Sequence, residues 1–236
     1  FQIYFDFAGY SFIAIGSAML MGIKFPENFE FPYLSKSPRE FWQRWHISLS
    51  SWVRDYIYYP LLAIKRNKGS SGGLLIRDES KYYNSLTLMP ILSLFITWLL
   101  MGLWHGAAFT FVVWGLWHAI LIFCWRILNK LKRKTFIIND KIKWLITLVF
   151  IMLGWIPFRA NSLKDTFTMW GHLIDIERWN FLGLRENTYL YTFILFIAVI
   201  FAKKLDNFLK LIDKSRNLYS KLVEIFVWLI IFAFSL

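Results

Sequence analysis

The side chains best suited to acid–base chemistry in this sequence are four histidines, His46, His105, His118 and His172. A neutral imidazole can accept a proton near physiological pH, which suits a general base acting on a hydroxyl group. Three of the four lie in or beside apolar segments, where an ionisable group is costly and usually marks a pathway or a site. The alternative is a neutral histidine that is hydrogen-bonded to a neighbouring helix. His172 lies in a more polar segment, and we expect it to be solvated.

His105 is the strongest candidate for a general base. It stands between two apolar runs, in the sequence Gly102-Leu103-Trp104-His105-Gly106. Glycines on both sides allow backbone or substrate to approach closely. A serine–histidine nucleophile pair is a further option near His46, with Ser48, Ser50 or Ser51 as the nucleophile.

Other kinds of site have little support in the sequence. It contains no HExxH or CxxC spacing, and its one cysteine, Cys124, lies inside an apolar run. No glycine-rich loop matches a phosphate cradle. We therefore predict no metal site and no resident cofactor.

Composition indicates a membrane protein. Of the 236 residues, 57% are hydrophobic and 18% are charged, whereas soluble domains average about 45–50% apolar and about 25% charged. The net charge of +12 comes from Lys and Arg in loops beside apolar runs, which is typical of topology signals rather than of a nucleic-acid-binding face. The predicted fold is all-α, a multi-pass transmembrane helical bundle located in the cytoplasmic membrane.

Six apolar runs approach the length of a membrane span. The predicted spans are Phe5–Ile23, Leu86–Trp104, Ala107–Ile127, Ile142–Phe158, Tyr189–Phe201 and Leu222–Leu236. Basic residues crowd the loops Arg126–Lys143 and Lys203–Lys221, whereas acidic residues balance them in Arg159–Asn187. The positive-inside rule therefore predicts that the two basic loops are cytoplasmic and that Arg159–Asn187 is external.

The segment Phe41–Tyr59 differs from the spans. Its aromatic and leucine side chains recur at intervals of three and four residues, which predicts one amphipathic helix in the interface or beside a wet cavity. Gln43, His46, Ser50 and Arg54 share another face of that helix. The bundle is therefore predicted to include interfacial or re-entrant helices.

Five stretches resemble the membrane-bound O-acyltransferase (MBOAT) family, and they occur in the family's order. They are Gln2–Ser11, Phe25–Phe29, Glu40–Tyr58, Gly102–His118 and Leu153–Ser162. The two most specific are RWHISLSSWVRDY within Glu40–Tyr58 and LWHG at residues 103–106. The branch of alginate and peptidoglycan O-acetylases is the most similar, and the teichoic-acid D-alanyl transferases are more distant.

The resemblance implies a reaction and a set of site residues. The histidine of LWHG, His105, corresponds to the family's catalytic histidine, and His46 lines the same core. The implied reaction moves an acyl group, acetyl in this branch, from a cytoplasmic thioester donor such as acetyl-CoA to hydroxyls of an extracytoplasmic polysaccharide. Substrate-binding roles are predicted for a further set of residues, namely Arg44, Arg54, Ser50, Trp104 and His118. The arginines are candidates for donor phosphates.

The resemblance also implies which molecules the protein interacts with and how much of the family's domain this chain contains. The partners are the lipid bilayer, the acyl donor, the envelope polysaccharide and a periplasmic or extracellular acyltransferase protein. Residues 1–236 are predicted to form one membrane-embedded domain that lacks the family's N-terminal spans and C-terminal end, and to be inactive alone. The alternatives are D-alanyl transfer to teichoic acid, a transporter without acyl chemistry, and a structural subunit of an envelope export complex.

Overall fold

A computed structural model describes residues 2–62, 85–131, 139–175, 193–194 and 196–206. Within these ranges all regular elements are helical and no strand occurs, which confirms the all-α prediction. Four described helices are long and apolar enough to cross a membrane. They are α1 (Gln2–Leu20), α4 (Leu88–His105), α5 (Phe109–Leu131) and α6 (Asp140–Arg159), and they match the first four predicted spans.

Of the two remaining predicted spans, one is partly described and the other is not described at all. Residues 193–194 and 196–206 are helical and overlap the predicted span Tyr189–Phe201. The predicted span Leu222–Leu236 lies outside the described residues, as do most of the basic residues of the two predicted cytoplasmic loops.

The chain divides into two compact units, Phe1–Phe31 with Trp179–Leu236, and Pro32–Arg178. In the first unit, the segment after α1 folds back so that the ring of Phe29 contacts Tyr4 and Phe7, at centroid distances of 5.7 and 5.1 Å. Lys203 lies 3.6 Å from the carboxylate of Glu30 in the same unit.

The second unit contains the shorter helices α2 (Pro38–Arg44), α3 (Ile47–Val53) and α7 (Leu163–Ile174), together with α4, α5 and α6. Helix α2 begins at Pro38, whose fixed φ suits a first helical position. The hydroxyl of Ser37 caps it by accepting a hydrogen bond of 3.1 Å from the Glu40 amide.

Helices α4 and α5 form an antiparallel pair in very close contact. A Cβ on Gly102 would collide with the carbonyl oxygen of Phe111, and a Cβ on Gly115 would collide with that of Trp98. Small residues at such positions let the backbones of two membrane helices touch. The close approach that the sequence predicts at Gly102 is therefore made by the α5 backbone rather than by a substrate.

Helix α6 also packs on α5, where Trp114 contacts residues of both α4 and α6. The indole of Trp117 on α5 donates a hydrogen bond of 2.9 Å to the carbonyl of Phe150 on α6. The indole of Trp170 on α7 donates one of 3.1 Å to the carbonyl of Leu153. Helix α7 lies within the predicted external segment Arg159–Asn187, so this segment includes a helix packed on the bundle.

The prediction of one continuous helix over Phe41–Tyr59 is wrong. Helix α2 ends at Arg44, Trp45 is extended, and His46 adopts the left-handed conformation, with φ 45° and ψ 54°. Helix α3 then continues through a π-helical turn, Arg54–Tyr58, into a final turn, Tyr59–Leu61. The change of chain direction at His46 divides the predicted aromatic stripe between two environments. Trp45 is buried, whereas Trp52 is 53% exposed.

Candidate active site

His105 ends α4 and stands inside a ring of aromatic side chains. Its imidazole meets Trp114 and Phe158 edge-on, at centroid distances of 4.9 and 5.1 Å. Trp104 lies 4.8 Å away on the same helix. The next residue is Gly106, and only glycine leaves room for the ring of Phe111, because a Cβ at this position would lie 2.6 Å from that ring. These contacts leave His105 half-buried.

His46 occupies the break between α2 and α3. A left-handed conformation in a residue other than glycine costs about 1–2 kcal/mol, and such conformations cluster at functional sites. This backbone reversal sets the direction of the half-buried imidazole. The sequence does not reveal it, because the residues on both sides keep a helical pattern.

The pKa of His46 is lowered to about 4, first because burial penalises the charged imidazolium and second because of charge repulsion with His105. The structure therefore brings these two predicted catalytic residues within electrostatic range of each other. At neutral pH His46 is uncharged, so a proton taken up by His105 is not opposed by a charge on His46.

His118 lies in the middle of α5 and is fully enclosed, with 0% of its surface exposed. Its Nδ1 accepts a hydrogen bond of 3.3 Å from the indole of Trp42 on α2. Its Nε2 faces Gly154 of α6, where a Cβ would lie only 3.0 Å away. His118 is fully buried and is not among the residues that line the cavity described below, which does not favour the predicted substrate contact.

Two tryptophans link the histidines to one another. Trp114 contacts both His105 and His118, at centroid distances of 4.9 and 5.1 Å. Trp42 contacts His118 at 5.0 Å and Trp98 at 4.7 Å. The rings therefore form a continuous series from the end of α4 to α2.

A cavity of about 300 Å³ begins where that series ends. Trp42 and Trp98 form part of its wall, together with Met101 and Thr97 of α4. None of the three buried or half-buried histidines lines it. Trp42 and Trp98 thus separate the cavity from His118.

The predicted substrate-binding residues fall in different places. Ser50 and Arg54 line the cavity. Arg44 does not line it; Arg44 forms an ion pair of 2.7 Å with Glu40 one turn earlier in α2. Trp104 is 63% exposed and is near His105 instead.

Ser50 also shows no sign of being a nucleophile. Its hydroxyl donates a hydrogen bond of 3.0 Å to the backbone carbonyl of Trp45. In the described residues no group of three or more His, Cys, Asp or Glu side chains is arranged to hold a metal ion.

Arg126 is buried, which the sequence did not predict. It was expected at the boundary between the span Ala107–Ile127 and the cytoplasmic basic loop Arg126–Lys143, but it lies within α5, which continues to Leu131, and is 1% exposed. Its guanidinium donates hydrogen bonds to the hydroxyl of Tyr58 (3.1 Å) and the carbonyl of Pro90 (3.3 Å). One signal was present: Arg126 is followed by further apolar residues, Ile127 and Leu128, before the basic run begins.

The fold and site define a class of protein: a membrane-type helical bundle with clustered histidines enclosed by aromatic rings. Residues 1–74 match the model of MBOAT, the membrane-bound O-acyltransferase family. The chain belongs to this family, which confirms the prediction made from its motifs.

Curated relatives cover most of the chain. It is 38% identical over 203 residues to the probable alginate O-acetylase AlgI of Pseudomonas aeruginosa, covering 82% of this chain and 35% of the relative. It is 39% identical over 178 residues to the peptidoglycan O-acetyltransferase of Helicobacter pylori, covering 75% and 30%. It is 37% identical over 143 residues to the teichoic acid D-alanyltransferase of Bacillus subtilis, covering 61% and 31%. The chain therefore spans about a third of the length of these relatives.

Proposed function

We propose that the complete protein is an O-acetyltransferase of the cell envelope, with His105 as the general base. The observation that carries the proposal is the position of His105, half-buried among Trp114, Phe158 and Trp104 and within electrostatic range of an uncharged His46. The names of the alginate and peptidoglycan relatives support acetyl as the acyl group.

In the proposed reaction, the Nε2 or Nδ1 lone pair of His105 takes the proton of an acceptor hydroxyl. The hydroxyl oxygen attacks the thioester carbonyl, the C–O bond forms, and the C–S bond breaks. The proton on His105 then passes to the departing thiolate, which leaves as a thiol. The aromatic rings around His105 would limit the access of water, which could otherwise hydrolyse the thioester.

The orientation of the reaction is part of the same proposal. The thioester donor, acetyl-CoA or a carrier-bound thioester, arrives from the cytoplasm, and the polysaccharide hydroxyl is supplied from outside, with a periplasmic or extracellular acyltransferase completing delivery. The Lys and Arg asymmetry of the loops supports this orientation in the cytoplasmic membrane.

The test replaces His105 by Gln, which retains hydrogen bonding but cannot act as the base. A general base contributes about 10²–10⁴-fold to rate, so acetyl incorporation into envelope polysaccharide should fall by that order in a strain carrying only the variant. His172→Gln is the matched control, because His172 is exposed on α7. Near-normal incorporation by the His105 variant, with protein present in the membrane, would contradict the assignment.

D-alanyl transfer to teichoic acid is the second candidate, favoured by the similarity to the Bacillus subtilis enzyme over 61% of the chain. Mass analysis of the esterified polymer separates the two, because acetyl and D-alanyl esters differ in mass. The match to the membrane-bound O-acyltransferase family does not favour the alternative of a transporter without acyl chemistry.

A further inference from the structure

Packing, rather than hydrogen bonding, orients the imidazole of His105 in the described part of the chain. None of the described residues forms a hydrogen bond with either of its ring nitrogens. A histidine that acts as a base is commonly held by a hydrogen bond from its second nitrogen to a carboxylate or a backbone carbonyl. The torsion about the Cβ–Cγ bond of histidine has only broad minima of its own. Contacts with neighbouring rings are therefore needed to give this imidazole one direction.

Two of the neighbouring rings, Trp114 of α5 and Phe158 of α6, contact the imidazole from two different helices. Each is nearly perpendicular to it, with interplanar angles of 83° and 81°. The two rings also contact each other at a centroid distance of 5.5 Å, and we call them the aromatic pair. Edge-to-face contacts of this kind stabilise by about 0.5–1.5 kcal/mol each. Rotation of the imidazole would change both angles and weaken both contacts.

The two members of the aromatic pair are themselves held by further contacts. Trp114 is 1% exposed, and its ring also contacts those of Trp98 and His118, at centroid distances of 5.9 and 5.1 Å. Phe158 contacts the ring of Phe111 edge-on, at 5.4 Å. Side chains in a close-packed interior have little freedom to change rotamer. The aromatic pair therefore has a defined position from which to orient His105.

We propose that Trp114 and Phe158 are positioning residues, which hold the imidazole of His105 in the direction that lets it accept the proton of the acceptor hydroxyl. This inference rests on the proposed function of His105 as the general base. A base must lie within hydrogen-bond reach of the proton it removes, and a misplacement of about 1 Å can cost about 10²-fold in rate. Loss of either ring would leave the imidazole chemically intact but poorly directed.

The experiment measures the rate of acetyl incorporation into envelope polysaccharide, in strains that carry only the variant of the complete protein. Each rate is divided by the amount of that protein in the membrane. Trp114→Leu and Phe158→Leu each remove one perpendicular ring, and each should lower the normalised rate by about 10-fold to 100-fold. Trp117→Leu is the matched control.

Trp117 suits this purpose because it lies three residues after Trp114 on the same helix but packs elsewhere. Its indole donates a hydrogen bond to the carbonyl of Phe150, and its ring contacts Trp170 at 5.3 Å. Its replacement by leucine should lower the unfolding midpoint, since it removes a large ring and a hydrogen bond. The normalised rate should nevertheless stay within about twofold of wild type. A loss of rate in Trp114→Leu that is no larger than in this control would contradict the proposal.

A conservative variant separates the ring of Trp114 from its indole N–H, which has no hydrogen-bond partner among the described residues. Trp114→Phe retains an aromatic ring beside His105 but removes the N–H group. If ring packing is what matters, the normalised rate of Trp114→Phe should lie within several-fold of wild type and well above that of Trp114→Leu. Equal damage in the two variants would assign the effect to a hydrogen bond from the indole and would overturn the proposal.

A double-mutant cycle tests whether Trp114 acts through His105. In the His105→Gln background there is no base to position, so adding Trp114→Leu should cause no further loss of rate. A further loss of the same size as in the wild-type background would make Trp114 a purely structural residue. The single variant His105→Gln keeps the two proposals distinguishable. Near-normal incorporation by it removes the general base itself. A strong loss by it, together with unimpaired Trp114→Leu and Phe158→Leu variants, removes only the positioning role.

Discussion

The indole nitrogen of Trp42 donates a hydrogen bond of 3.3 Å to Nδ1 of His118, which joins the short helix α2 to the middle of α5. The two residues are 76 positions apart in sequence, so this bond fixes where the broken segment after Pro38 rests on the bundle. It also makes Nε2 the protonated nitrogen of a neutral His118. Trp42 and His118 thus form the contact between the cavity wall and the interior of the bundle.

Replacement of Trp42 by Phe should destabilise the protein. The variant leaves the enclosed Nδ1 of His118 without its donor, which costs about 1–3 kcal/mol. Thermal unfolding in detergent measures the loss. Trp52→Phe is the control, since Trp52 is largely exposed and surface changes stay within about 0.5 kcal/mol. Equal midpoints for the two variants would show that the hydrogen bond does not contribute to stability.

Replacement of Gly154 by Ala tests the packing of α6 on α5. The added Cβ would lie 2.9 Å from Cδ1 of Trp117 and 3.0 Å from Nε2 of His118, and overpacking of this kind costs about 1–3 kcal/mol. Gly171→Ala is the control: nothing lies within 4 Å of a Cβ there. Alanine should stabilise helix α7 at that position by about 1 kcal/mol. The same sign of change in both unfolding midpoints would contradict the described packing.

Because His46 has a left-handed backbone conformation, two substitutions can distinguish its structural role from its chemical role. Both His46→Gly and His46→Ala remove the imidazole, but only glycine adopts this conformation without strain. The Gly variant should therefore be more stable than the Ala variant by about 1 kcal/mol. If the imidazole acts in catalysis, both variants lose acyl transfer to a similar extent while still reaching the membrane. Activity that follows stability instead would make His46 a structural residue.

The lowered pKa of His46 predicts how stability changes with pH. It is about 4 in the folded protein and about 6.5 for an unperturbed histidine. Between these values the unfolded chain binds a proton that the folded chain does not, so stability falls as pH decreases through this window. Wild type should lose more stability than His46→Asn between about pH 7 and about pH 4. Equal losses, measured by thermal unfolding, would contradict the shift.

Membrane orientation is tested at two exposed lysines, Lys141 at the start of α6 and Lys164 at the start of α7. With the exposed Cys124 replaced by Ala, single cysteines at these positions are treated with an impermeant maleimide in whole cells. The positive-inside rule predicts labelling at position 164 and none at position 141. Labelling of position 141 from outside would reverse the proposed direction of transfer.

The long helices α4, α5 and α6 could be predicted from hydropathy, because each is a continuous apolar run that can be recognised without knowing its tertiary contacts. The LWHG motif predicted His105 as the general base, and in the structure His105 is half-buried among aromatic rings; its catalytic role stays a prediction. The break at His46 was not predictable, since one left-handed residue changes direction without interrupting a pattern of threes and fours. Arg126 was misassigned because its burial depends on Tyr58 and Pro90, which are distant in sequence.

The close contact between α4 and α5 at Gly102 and Gly115 limits how these helices can move. Because the backbones of α4 and α5 are in contact at both glycines, sliding or rotation of one helix against the other would cause backbone clashes. We therefore expect the two helices, which contain His105 and His118, to move as one rigid unit. Trp98 belongs to α4, so opening the wall between the cavity and His118 requires movement of Trp42. Trp42 is attached to a helix of only seven residues. A change in the side-chain torsion of Trp42 is a far smaller deformation than bending the paired helices.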